Sequence, residues 1–204
     1  MDDRIEHRQL ELVYRGPRNY IQGADIYSAI VDNVSQVLPE ALKGVIKIIM
    51  HEFAHNQCAL IFSLDSTPVP RPEAGRAEFF LGDRVHGWVV ETSAPVVRRM
   101  PYDEGEIVSR CEVVGRIIRL TETPPNSPIE TLIAATKFLH QTLFPSTTHK
   151  WIISRLELRH LLREQDSGNF VIELMHNLNN QLTRSAVRIC GEPVGHIYFS
   201  AIKP

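Results

Sequence analysis

The alternation of apolar and polar positions divides the chain into two long helical patterns, each set among shorter runs of strand character. In "RNYIQGADIYSAIVDNVSQVLPEAL", Ile26, Ile30, Val34, Val37, Leu38 and Leu42 recur at helical spacing behind Gly23 and Asp25, which predicts a helix. "IETLIAATKFLHQTLF" (129–144) predicts a second, with Ile129, Leu132, Ile133, Ala135, Leu139 and Leu143 on its buried side. The run Thr123-Pro124-Pro125-Asn126-Ser127-Pro128 breaks the chain ahead of it and can cap it. Strands are expected in "LELVYRG" (10–16) and across residues 45–62, which begin with four β-branched residues in five. "AEFFLGDRVHGWVVETSAPVVRRMPYDEG" reads as two or three strands with turns near Gly82-Asp83 and Ser93 to Pro95, and residues 106–122 as strand-rich. Three more follow in "KWIISRLELRHLL", "NFVIELMHNL" and "SAVRICGEPVGHIYFSAI", the last with a turn at Gly191-Glu192-Pro193. "STPVPRPEAG" (66–75) is a surface loop.

Strand, long helix and several strands thus occur twice, which suggests a repeat. Offsetting the chain by 105 residues aligns 25–55 with 130–160, and six of the thirty-one positions are identical. These are Ala29/Ala134, Gln36/Gln141, Leu38/Leu143, Ile48/Ile153, Glu52/Glu157 and His55/His160. About two identities are expected at background composition. The expected units are residues 1–104 and 105–204, fused into one globular body.

His51-Glu52-Phe53-Ala54-His55 spells H-E-x-x-H. On a helix that spacing puts two imidazoles on one face as zinc ligands, with Glu52 as the base acting on metal-bound water. The repeat opposes this reading, because Leu156 stands where the first His would recur while Glu157 and His160 keep register. On a strand, His51, Phe53 and His55 would share one face and Glu52 would take the other. A zinc hydrolase with ligands His51 and His55 is therefore the alternative, and a metal-free strand the main expectation.

Composition narrows the classes further. A net charge of −2 over 204 residues and the lack of a basic stripe argue against nucleic acid or an anionic membrane as partner. The charged N-terminus lacks a signal-like apolar core, and Cys58, Cys111 and Cys190 lie far apart, as expected of a cytoplasmic protein with free thiols. No G-x-S-x-G elbow, Gly-rich phosphate loop or Cys/His cluster of metal spacing is present.

The order and size of the elements, together with the repeat, resemble a double hotdog: an α+β fold of two tandem repeats, each a long central helix wrapped by an antiparallel sheet. "YIQGADIYSAI" is similar to the segment of β-hydroxyacyl-ACP dehydratases where a turn leads into the central helix. The resemblance implies an acyl thioester as ligand (acyl-CoA or acyl-ACP), thioesterase- or dehydratase-like activity, and a homo-oligomer. Coenzyme A or phosphopantetheine would enter as part of the substrate, with no separate cofactor; a degenerate, non-catalytic ligand-binding hotdog is the other reading. It implies Asp25, Tyr20 and Ser28 as the catalytic candidates, Ser28 standing near the position of the family's helix carboxylate. Gly23 would offer its amide to the thioester carbonyl. With Gly23, the resemblance implies Arg18, Tyr27 and Glu130 as substrate-binding candidates: Arg18 and Tyr20 lie in the stretch that lacks the family's His, Tyr27 would line an acyl tunnel, and Glu130 is the repeat partner of Asp25. Asp25 also has a purely structural reading, as an acid complementing the helix dipole.

Overall fold

The computed structural model describes residues 5–65, 67–145, 149–166 and 168–203. The chain forms two compact units: Met1–Tyr102 with Arg159–Leu161, and Asp103–Leu158 with Leu162–Pro204. The architecture is α+β, with antiparallel sheet and few helices.

In the first unit, β1 (Ile5–Gln9), β4 (Asn56–Ser63), β6 (Val85–Pro95), β5 (Gly75–Leu81) and β3 (Ile46–Met50) pair in that spatial order, antiparallel throughout. Period-two burial gives the sheet two faces. In β5, Gly75, Ala77, Phe79 and Leu81 are buried, and Arg76, Glu78 and Phe80 are half-buried on the other side. Helix α1 (Gly23–Ser35) buries Ala24, Ile26, Tyr27, Ile30 and Val34. It stops short of Pro39, which opens a 3-10 turn over Pro39–Lys43; the residue before a proline is pushed out of the helical region.

In the second unit the spatial order is β10 (Lys150–Leu158), β13 (Glu192–Ile202), β12 (Leu182–Ile189), β11 (Phe170–Leu178), β9 (Ile117–Leu120) and β8 (Cys111–Val114), again antiparallel. Helix α3 (Pro128–Leu143) runs against β8, β9 and β10.

Several expectations move. The strand expected at 10–16 lies earlier, as β1, and only Tyr14–Arg15 recovers extended pairing, as β2 with β7 (Arg99–Met100) in a parallel ladder. The side chain of Gln57 explains the departure: its Oε1 accepts from Leu12 N at 2.8 Å and its Nε2 donates to Leu12 O at 2.9 Å, replacing the backbone ladder. Residues 104–108 are not extended but form helix α2, because the Asp103 side chain caps the Gly105 amide. The turn expected near Ser93 to Pro95 is absorbed into β6.

Two features of the cores are decisive for stability. Gly87 sits where β6 passes beneath Phe62 and Phe79; a Cβ there would lie 2.5 Å from Phe79 Cζ, 2.7 Å from Ile61 O and against Phe62 Cβ. In α3, His140 is fully buried, its ring centroid 5.0 Å from that of Trp151 and 5.1 Å from that of Phe199, with neither ring nitrogen hydrogen-bonded. Burial lowers its pKa from the ordinary 6.5 to about 4.

Gly87→Ala is expected to destabilise by about 1–3 kcal/mol or more, read from urea unfolding. For His140, the unfolded chain takes up its proton first as pH falls. Stability should be complete above pH 6.5 and decline toward pH 4, by up to about 3 kcal/mol. In His140→Leu that part of the pH dependence should vanish from the same unfolding curves.

Candidate functional site

The H-E-x-x-H stretch is neither helix nor strand. β3 ends at Met50, β4 starts at Asn56, and residues 51–55 between them are irregular. Such a break leaves backbone groups that need partners. Arg76 O accepts from His51 N at 2.8 Å and Glu52 N at 3.2 Å. Ala54 O accepts from Ile21 N at 2.9 Å, two residues ahead of α1. Glu91 on β6 does the rest. Its Oε1 accepts from His55 N at 2.7 Å, Asn56 N at 2.8 Å and Asn56 Nδ2 at 3.1 Å, while its Oε2 takes Arg76 Nε at 2.6 Å. The Glu91 side chain is only 8% exposed. Burial pushes its carboxyl upward, but the His55 amide, Arg76 and the Asn56 amide outweigh that and hold it below the usual carboxylate range. Nearby, burial and then the Glu91 charge drive the Cys58 thiol up to about 12, against the opposing pull of Arg76.

This geometry overturns the helical zinc constellation. His51 stacks on Trp88, with centroids 5.4 Å apart, and its Nε2 lies 3.8 Å from Glu78 Oε2. Glu52 pairs with Arg76 and, at 3.7 Å, with Arg71. His55 is turned toward α1, its Nδ1 2.8 Å from Asn19 O. The three side chains diverge, and among the described residues no group of three or more His, Cys, Asp or Glu is placed to hold a metal ion. The strand expected through this stretch is also broken here. In the second unit, Leu156, Glu157 and Leu158 do continue β10, and Glu157 accepts from Tyr198 Oη at 3.1 Å. Sequence identity of Glu52/Glu157 and His55/His160 therefore does not carry over into like surroundings.

The start of α1 gathers most of the other candidates. Asp25 stands in the first turn, and its Oδ1 takes Arg15 Nε at 3.0 Å and Arg15 Nη2 at 2.8 Å. Its charge answers a cation as well as the helix dipole. Gln22 occupies the N-cap position without a side-chain capping bond, and Gly23 is the first helical residue. The Tyr20 ring lies 4.4 Å from that of Phe53, which in turn meets His55 at 6.3 Å. Ser28 is half-buried on the same helix, whereas Tyr27 is buried in the core. Arg18 covers the Tyr102 ring at 5.3 Å, and its carbonyl, with that of Gly16, receives Arg99 Nη1 at 2.6 and 2.5 Å.

Glu130 is in another situation. It completes a capping box with Ser127: Glu130 Oε2 accepts from Ser127 N at 3.1 Å and Ser127 Oγ at 2.8 Å. Its carboxylate closes the start of α3, a structural task that the sequence reading assigned only to the preceding loop. Arg15 and Glu91 take roles in the structure, as partner of Asp25 and as clamp of residues 55–56, that the sequence does not assign to them. Both were visible as residues, but neither carries a local motif; only long-range pairing gives them partners.

No family model and no curated protein matches the sequence. Solved structures do. The TesB protein of Mycobacterium avium subspecies paratuberculosis is similar at a TM-score of 0.51 and 10% identity, over 97% of this chain and 92% of that one. The dehydratase domain of PpsC from Mycobacterium tuberculosis, in complex with C12:1-CoA, gives 0.51 and 12% over 97% and 93%. The chain thus has the hotdog fold of these structures.

The Glu91 clamp makes a specific prediction. Glu91→Ala leaves Arg76 Nε and two backbone amides without their acceptor, and should cost about 3–5 kcal/mol in chemical unfolding. In the wild type, the lowered carboxyl means that the clamp's contribution is present at neutral pH and is lost as pH falls through the folded-state value. A Glu91→Gln variant should show less of that acid sensitivity in the same measurement.

Proposed function

We propose that the protein is a double hotdog of two tandem repeats, each built on one long helix, that binds an acyl thioester at the start of α1 and hydrolyses it. The observation that carries this reading is the contrast between its two long helices. The start of α3 is sealed by the Ser127–Glu130 box, while α1 begins at Gly23 with no side-chain cap and with Asp25, Arg15 and Tyr20 around it. A helix start of that kind presents backbone N–H groups toward negative charge.

In this reading the Gly23 amide receives the thioester carbonyl oxygen as it becomes an oxyanion in the tetrahedral intermediate. Asp25, held by Arg15, keeps a fixed carboxylate beside the reacting carbon to orient water. Tyr20 and Ser28 border the reacting end, Tyr27 the acyl chain, and Arg18 the phosphate-bearing arm of the carrier. The carrier is coenzyme A or the phosphopantetheine of an acyl carrier protein, and it arrives as part of the substrate. The fold likeness to a TesB protein and to a dehydratase domain complexed with an acyl-CoA supports the substrate class. Among the described residues, no helix is long and apolar enough to cross a membrane.

A panel of acyl-CoA and acyl-ACP substrates, read by release of free thiol, tests the proposal. At least one thioester should be turned over, and Asp25→Asn should lower kcat/KM by about a hundredfold, or about 2.7 kcal/mol. Binding without turnover across the panel would instead assign the chain to the non-catalytic hotdogs, and a wild-type rate in Asp25→Asn would remove Asp25 from the site.

A further inference from the structure

We infer that His55 is the general base of this site. The inference rests on the thioester reading above for its substrate but on independent geometry for the residue.

A carbonyl oxygen only accepts, so the 2.8 Å contact between His55 Nδ1 and Asn19 O fixes the proton of the neutral ring on Nδ1. The lone pair is then on Nε2. The residue is exposed, yet its backbone is held from several directions. Glu91 receives its N–H, and Tyr14 Oη donates to its carbonyl. On either side, Ala54 O is tied to Ile21 N, and Asn56 to Glu91. Phe53 presents an edge to the ring at 6.3 Å. An exposed histidine on an irregular connection would ordinarily sample many orientations. Here an imidazole of one tautomer is held beside the start of α1 by a buried carboxylate 36 residues away and a carbonyl of the segment leading into the helix. Rigid support of a solvent-facing base is what a proton-transfer group requires.

Asp25 is less suited to the task, since its Oδ1 already receives two N–H groups from Arg15, and hydrogen bonds to the ionised form weaken a carboxylate as a base. His55 Nε2 takes one proton from water as the water oxygen bonds to the thioester carbonyl carbon. The tetrahedral intermediate then collapses: the C–S bond breaks, and the imidazolium returns that proton to the leaving sulfur. The products are the free thiol and the carboxylic acid, which ionises, and His55 is neutral again. Glu91 acts through the backbone of His55 and is a positioning residue.

The test compares the wild type with His55→Ala and His55→Gln on two substrates, an acyl-CoA turned over by the wild type and p-nitrophenyl butyrate. Folding of each variant is verified by thermal unfolding. Loss of the base should lower kcat by about 10²- to 10⁴-fold with KM changed little. Added free imidazole should restore part of the His55→Ala rate, which a merely structural role would not allow. A variant within about fivefold of wild type on the turned-over substrate overturns the assignment. If no thioester is hydrolysed but p-nitrophenyl butyrate is, in a His55-dependent way, the thioester reading fails and the base assignment stands. If the wild type hydrolyses neither, both fall.

Discussion

A backbone that leaves one strand and joins the next must find partners for the polar groups in between, and in the first unit Glu91 meets that demand. Its carboxylate lies almost out of water and replaces a missing stretch of ladder. Hydrogen bonds to an ionised acceptor are about twice as strong as neutral ones, which is why one side chain can hold a connection that would otherwise need strand pairing. Arg76 balances the charge from β5 and anchors the far side of the same connection through its carbonyl. The position of residues 53–55 beside the start of α1, and of Tyr20 against Phe53, follows from that clamp.

The two long helices show how the same local element can be put to different ends. Both bury an apolar side. Their starts differ in chemistry: α3 carries Ser127, Pro128 and Glu130 in the order that closes a capping box, whereas α1 carries Gln22, Gly23 and Asp25, with the acid drawn to Arg15. A sealed start contributes to stability alone, while one without a side-chain cap can meet a ligand.

What was legible in the sequence follows from how local each cause is. The helices over α1 and α3 rest on periodicity within a dozen residues, and the hairpin turn at Gly82 on a backbone with φ of +59°, so both could be read directly. The break at 51–55 could not. Val45 to Met50 favours a strand, Asn56 to Ser63 favours a strand, and nothing within the intervening residues signals that the two are separate. The acid that makes the separation affordable lies on β6 and reads there as an ordinary polar strand position. Likewise α2 was hidden by the apolar residues of 106–122, although the Asp103 cap decides its local conformation. The candidates Tyr20, Gly23 and Asp25 lie together because they are neighbours in sequence; Arg15 beside Asp25 and Phe53 beside Tyr20 required the fold.

The Glu91 clamp also bears on how relatives of this chain would have to be traced. The spelling His-Glu-Phe-Ala-His attracts the eye and specifies none of the geometry it suggests. The information that orients its second histidine is stored elsewhere, in a strand position that would normally be scanned for packing. A lineage could rewrite His51 and Glu52 and keep that orientation, or preserve all five letters and lose it by changing a single acid. In a set of diverged sequences, the trace of this arrangement would be joint variation between positions 55, 56, 76 and 91, and a motif search would follow the wrong letters.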